Sequence, residues 1–200
     1  MMHKTFPYGK LIFFATGNLH KFNEARRVLA EYDISVAMLK VKNLEIQNDK
    51  IEAIAKSSAI NVAREIRLPI IVEDAGLFID SLNGFPGPYS SYIFRTIGNW
   101  GIIKLLENSE NRKAHFKSVV AFCDQNGTLM CFKGIVEGRI SKKPRGSSGF
   151  GFDPIFEPDE EPERTFGEMS VEEKNRFSHR AKALRKFAQW YKNYVPPASN

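Results

Sequence analysis

The chain reads as an α/β domain built on a mixed β-sheet, and three observations predict it. Short apolar runs alternate with helical periodicity through roughly the first eighty residues. Two long β-rich runs follow, joined by Asn126-Gly127, a hairpin signal. A helix rich in Leu184, Phe187, Trp190 and Tyr191 closes the chain.

Taken in order, Leu11–Ala15 is a compact apolar run and predicts a buried strand. Helical spacing starts at Lys21, with Phe22, Ala25, Val28 and Leu29 on one face. Ile34–Leu39 predicts the second strand. Asn48 or Asp49 then caps a longer helix, whose Ile51, Ile54, Ala55, Ala59 and Val62 fall at helical spacing. Leu68-Pro69 ends it, and Ile70–Glu73 predicts the third strand. Strands over His115–Asp124 and Thr128–Ile140 form the hairpin, and residues 142–154 are a Gly/Pro/Ser-rich loop. Ser170-Val171-Glu172-Glu173 has the form of a capping box. With no internal repeat and no linker, residues 1–195 are expected to form one domain, and 196–200 a disordered tail.

Composition narrows the class. At 42% hydrophobic residues the chain can bury a core, which excludes disorder. No stretch approaches the ~20 apolar residues of a membrane span, and the N-terminus carries no signal-peptide pattern. Two cysteines, Cys123 and Cys131, are too few for a disulfide framework and wrongly spaced for zinc. A soluble, cytoplasmic protein is the expectation. The net charge of +6 looks at first like a nucleic-acid signal, but residues 174–192 alone hold seven positives and no acid. The rest of the chain is therefore close to neutral, and the excess is one C-terminal segment. It is either a solvated helix face or a site for an anionic ligand.

Five segments can carry chemistry. In FFATGNLHKFNEA, Thr16, Gly17 and Asn18 lie between a strand end and a helix start, where backbone N–H groups bind anions, and Lys21 adds a mobile charge. A plain turn with a capping Asn explains the same pattern. Glu73 and Asp74 follow a buried strand, where an unpaired carboxylate is costly. Strand alternation would turn them to opposite sides, one of them into a cleft. A carboxylate there suits Mg²⁺; a turn Asp before Ala75-Gly76 is the alternative. In RGSSGFGFDPIF, glycines hold Phe150 and Phe152, whose rings either stack on a base or plug the core, and Asp153 can accept from base or ribose donors. In EEKNRFSHRAKAL, Lys174 precedes His179 and Arg180; a lone histidine on a basic helix is structural or solvated, whereas a His-Arg pair at a break between two helices suits an oxo group or a phosphate. Glu45, in KNLEIQND, is a further acid near a strand-to-helix junction.

Together TGNLHK, LEIQ, VEDAGL, FPGPYSS, GFGFDPIF and EEKNRFSHRAKAL resemble the inosine/xanthosine triphosphate pyrophosphatase family, in the family's order from about Leu11 to Tyr191. The resemblance implies a long mixed sheet flanked by helices in two lobes around a cleft, and a homodimer. It implies hydrolysis of ITP, dITP or XTP to the monophosphate and pyrophosphate with Mg²⁺, the partner being a small-molecule nucleotide and not a nucleic acid. It makes Thr16, Gly17, Asn18 and Lys21 the triphosphate turn. Glu45 and Asp74 become metal ligands, with Glu73 assisting and Asp74 also accepting a proton. Phe150, Gly151, Phe152 and Asp153 match the base-and-sugar loop, and Lys174, His179 and Arg180 hold the nucleotide and read its 6-oxo group. Ala75 occupies a substrate-contact position where the family usually has a small hydroxyl residue, so that side-chain contact is missing.

Two rivals make different demands. A pyrophosphatase for pyrimidine triphosphates would keep the architecture but not need the His179-Arg180 pair. An RNA-binding module would show salt-dependent polynucleotide binding without turnover.

Overall fold

A computed structural model describes residues 10–41 and 46–196. Strand β1 (Lys10–Ala15), helix α1 (Leu19–Ala30), strand β2 (Ile34–Leu39), helix α2 (Ile51–Ile66) and strand β3 (Ile70–Ile79) follow the predicted alternation. A two-residue strand β4 (Pro86–Gly87) and helices α3 (Ser90–Thr96) and α4 (Gly98–Leu105) come next. Strands β5 (Lys113–Cys123), β6 (Leu129–Ile140) and β7 (Phe156–Pro158) complete the sheet, and helices α5 (Val171–Asn175) and α6 (His179–Asn193) end the fold. The tail read at 196–200 lies, apart from Pro196, outside the described residues.

The sheet runs β2-β1-β3-β5-β6-β7, with β4 added on β3. β2 and β3 are parallel to β1, whereas β3, β5, β6 and β7 are mutually antiparallel neighbours. The mixed sheet expected from the sequence is therefore present. Helices α1 and α6 pack Ala25, Val28, Leu29, Leu184 and Phe187 against Phe14, Ile71 and Phe122. On the other face, α2 packs Ile51, Ala55, Ala59 and Val62 against Ile70, Val72, Val119 and Ala121. A third cluster joins the far half of β3 through Leu77 and Ile79 to Ile102, Phe152, Phe156 and Phe166.

Several boundaries differ from the sequence reading. The third strand was expected to end at Glu73, but β3 runs to Ile79 and pairs with β5 along its whole length, from Ile70↔Cys123 to Ile79↔Ala114. Glu73 and Asp74 therefore sit in mid-strand. The strand end that matters is that of β1, whose pairing with β3 stops at Phe14↔Ile71. Past Ile71, β3 outruns its parallel neighbour and opens a cleft there. Pairing with β5 carries β3 on, and Gly76 leaves room for β4 beside it: a Cβ at that position would lie 2.3 Å from the Gly87 carbonyl oxygen. Helix α1 starts at Leu19, two residues earlier than expected, because the Asn18 side chain accepts from His20 and Lys21 N–H. Lys50, not Asn48 or Asp49, is the N-cap of α2; Asn48 Oδ1 accepts the Lys50 N–H one step earlier. The hairpin between β5 and β6 forms, but its loop is organised by Asp124, which accepts from Asn126 and Thr128 N–H, while Gly127 takes φ +83°. The Ser170–Glu173 capping box is formed as predicted.

Candidate active site

The opening past the end of β1 is a cleft of about 990 Å³, at the upper end of the size range for small-molecule sites. The turn Thr16–Asn18 and Lys21 reach it from β1 and α1, and Glu73, Asp74 and Ala75 from β3. Phe150, Gly151, Phe152 and Asp153 line it from the loop before β7, and Lys174, His179 and Arg180 from α5 and α6. All the described residues that the sequence singled out thus converge on one cavity. Glu45 lies outside the described residues.

β3 answers the question of its two carboxylates. Alternation sends Glu73 to the side of Ile71, toward α1 and α6, and Asp74 to the side of Ile70 and Val72. Glu73 is buried and compensated: Lys21 Nζ lies 3.0 Å and Arg180 Nε 3.1 Å from its oxygens, and Ser118 Oγ donates to it at 2.6 Å. Burial would raise its pKa, but the Arg180 and Lys21 charges outweigh that and hold it well below the usual range. Lys21 also donates to the Glu73 carbonyl oxygen at 3.1 Å, so this charge, read as mobile, is anchored. Asp74 is partly exposed, and one of its oxygens accepts the Ala75 N–H at 3.0 Å.

The C-terminal cations do not all form a solvated face, because Lys174 and Arg180 are buried. Ser178 caps α6 and breaks it from α5, so Lys174 closes one helix while His179 and Arg180 open the next, each 2% exposed. Gly134 on β6 makes this possible, because a Cβ there would lie 2.0 Å from the His179 carbonyl oxygen. Glycine in a strand interior often marks such a close approach. The other five positives of the segment, Arg176, Lys182, Arg185, Lys186 and Lys192, stay partly or fully exposed.

The partner that sequence reasoning missed is Glu24. It lies on the core face of α1, one turn before Val28, at 2% exposure. Its carboxylate receives Lys174 Nζ at 2.9 Å and also contacts Arg180 Nη1. Burial pushes its pKa up, yet Arg180 and Lys174 together bring it down to about 2. An acid at a core position of a helical pattern was the available signal. Lys174 bridges onward to Asp153 at 2.7 Å, and Asp153 accepts the Phe150 N–H at 2.8 Å. Its Oδ2 fixes the loop before β7. Burial raises the Asp153 pKa despite Lys174.

Three acids and three cations therefore interlock, with Lys174 and Arg180 drawing their charges from elements far apart in sequence. The two phenylalanines divide the alternatives raised above. Phe152 is 3% exposed and belongs to the core, edge-on to Phe94. Phe150 remains partly exposed in the cleft, with Lys174 Nζ 5.1 Å and Arg180 Cζ 5.3 Å from its ring centre. His179 stacks on Phe116 at 4.6 Å, and its buried Nδ1 has no partner among the described residues. Burial first, then Arg180 and Lys174, drives its pKa well below 6.5, so the ring is neutral at neutral pH. At the turn, Thr16, Asn18, His20 and Lys21 N–H are already used internally. Gly17 faces open space, where an added Cβ would meet nothing within 4 Å. A phosphate can therefore approach the backbone there, but the turn is not a fan of open amides.

Such a cleft defines a site for a flat, multiply anionic ligand: cations on its floor, an aromatic ring on its wall, and an open glycine turn at its rim. The chain belongs to the Ham1 family, which it matches over residues 12–190. It is 54% identical to a dITP/XTP pyrophosphatase of Methanopyrus kandleri over 184 residues, covering 92% of this chain and 97% of that one. It is 51% identical to a dITP/XTP pyrophosphatase of Thermococcus kodakarensis, covering 90% and 96%. Among solved structures, a HAM1 protein from Coxiella burnetii superposes with a TM-score of 0.81 at 29% identity, covering 92% of this chain and 100% of that one. The Staphylococcus aureus Ham1 protein does so at 0.79 and 26%, covering 92% and 98%.

Proposed function

We propose that this protein hydrolyses ITP, dITP and XTP to the monophosphate and pyrophosphate. One observation carries the reading: Lys21, the partly exposed Asp74 and the neutral His179 beside Arg180 open into a single cleft. Cleavage of a phosphoanhydride needs positioning and charge neutralisation more than covalent chemistry. Lys21, held by Glu73, lies against the triphosphate, and Gly17 gives it room. Asp74 takes the proton of the attacking water. The neutral His179 and the Arg180 guanidinium present donors to the 6-oxo group of hypoxanthine or xanthine. The 6-amino group of adenine would leave buried donors unpaired there, which is heavily penalised. The relatives' name, dITP/XTP pyrophosphatase, supports the same substrates.

The donor set fits Mg²⁺. The described residues hold no group of three metal-binding side chains. A partly exposed Asp74 suits an ion that takes one or two carboxylates and completes its shell with phosphate oxygens and water; Glu45, outside the described residues, is the second carboxylate that the resemblance implies. When bound, it neutralises phosphate charge. Glu73, committed to Lys21, Arg180 and Ser118, serves as the buried counter-charge beside it.

No helix among the described residues is long and apolar enough to cross a membrane, consistent with action on the cytoplasmic nucleotide pool. The exposed Tyr92 on α3, Trp100 on α4 and Ile97 between them support a homodimer; a monomeric mass by light scattering would remove that part. The test of the reaction is product release from ITP, XTP, ATP, GTP and UTP with Mg²⁺. Pyrophosphate with IMP or XMP, and ATP and GTP largely spared, is the expected result. Release of orthophosphate, or equal use of all five, would overturn the proposal.

A further inference from the structure

His20 stands at the rim of the cleft with no part assigned to it by the reaction. Its backbone is fixed, because its N–H donates to Asn18 Oδ1 at 2.9 Å in the cap of α1. Its side chain is exposed, and among the described residues the imidazole takes part in no hydrogen bond or ion pair. Its one ring contact is with Phe150: centroids 5.1 Å apart, planes 22° apart. Phe150 is the partly exposed ring of the cleft, and the buried Lys174 and Arg180 reach it from the interior. The cleft thus carries two near-parallel rings, one backed by a buried ion-pair frame and the other anchored through its backbone.

We propose that His20 is a binding residue for the nucleobase, the second of two rings that bracket the purine. This rests on the nucleotide reading given above. A base between two rings needs about 7 Å, two van der Waals separations of about 3.5 Å each. The rings stand about 2 Å closer than that. Rotation about the His20 side-chain bonds opens the gap without moving α1, since the cap holds only the backbone. Stacking reads planarity and not hydrogen-bond pattern, so His20 sets affinity for all bases alike, whereas His179 and Arg180 discriminate among them. Removing its ring therefore acts on base binding and not on the triphosphate.

The test compares wild type, His20→Ala and His20→Phe in steady-state turnover of ITP and ATP, with tripolyphosphate as a competitive probe that has no base. The expectation for His20→Ala is a rise in KM for ITP of roughly tenfold, the loss of one stacked ring, with kcat changed far less. The ITP-over-ATP ratio and the tripolyphosphate inhibition constant stay near wild type, and His20→Phe restores KM. An unchanged KM in His20→Ala would overturn the inference. So would an equal weakening of tripolyphosphate, which would mean that only the turn had been disturbed. Failure of wild type to release pyrophosphate from ITP would instead sink the underlying reading, so the two failures are distinct.

Discussion

Replacing Glu24 by Gln tests whether the buried ion-pair frame holds the site in shape. Gln keeps the size of the side chain but removes its charge, so Lys174 keeps only Asp153 and Arg180 only Glu73. Breaking one partner out of a buried pair costs about 3–5 kcal/mol. The lower end applies, because each cation retains one carboxylate and Gln can still accept a hydrogen bond. For a chain of 200 residues, about 3 kcal/mol lowers the melting temperature by about 6–12 °C. Thermal unfolding followed by circular dichroism reads this directly. The double variant Glu24→Gln/Arg180→Met should lose less than the sum of the two single losses, since each removes the same interaction. The ITP-over-ATP ratio should fall in Glu24→Gln as Arg180 loses its orientation. A melting temperature within about 2 °C of wild type would refute the frame as a source of stability, and an unchanged ratio would refute it as a positioning device.

Two further outcomes follow from the geometry. Asp74→Asn should lower ITP turnover by roughly a thousandfold, the scale of a lost general base, while a partly exposed position leaves the melting temperature nearly unchanged; wild-type turnover in this variant would remove Asp74 from the chemistry. His179 has its native pKa depressed well below 6.5 by burial and by Arg180 and Lys174. The unfolded chain therefore binds a proton that the native one refuses. Its contribution to stability is complete above pH 6.5 and declines as pH falls toward the native value, by at most about 1.4 kcal/mol per pH unit. Glu24, with its pKa near 2, adds its own loss only below about pH 4.3, the unfolded carboxylate value. Melting curves between pH 7 and 5 should show the decline in wild type and a flatter profile in His179→Gln, and parallel profiles would contradict the assignment.

Much of this protein is local and so was legible in the sequence. The alternation of strands and helices, the Asn-Gly hairpin and the Ser170–Glu173 cap depend on residues within a turn or two of one another. The resemblance likewise placed Lys21, Asp74, Phe150, Lys174, His179 and Arg180 in one site, and the cleft gathers them. Other features depend on what a residue meets across the fold. Whether Glu73 ends a strand or sits within one was decided by β5, which pairs with β3 well past the end of β1. Whether Phe150 and Phe152 plug the core or stay open to the cleft was decided separately for each ring, Phe152 by packing against Phe94 and the third core cluster, Phe150 by its place over Lys174 and Arg180. Whether the basic C-terminal segment is solvated was decided by Gly134, which admits the start of α6 to the sheet, and by Glu24, 150 residues from Lys174 and 156 from Arg180. Sequence periodicity marks which residues turn inward. Which buried charge meets which is fixed only when distant elements close on one another, because a buried ion pair is a property of two positions in space and leaves its mark at neither one alone.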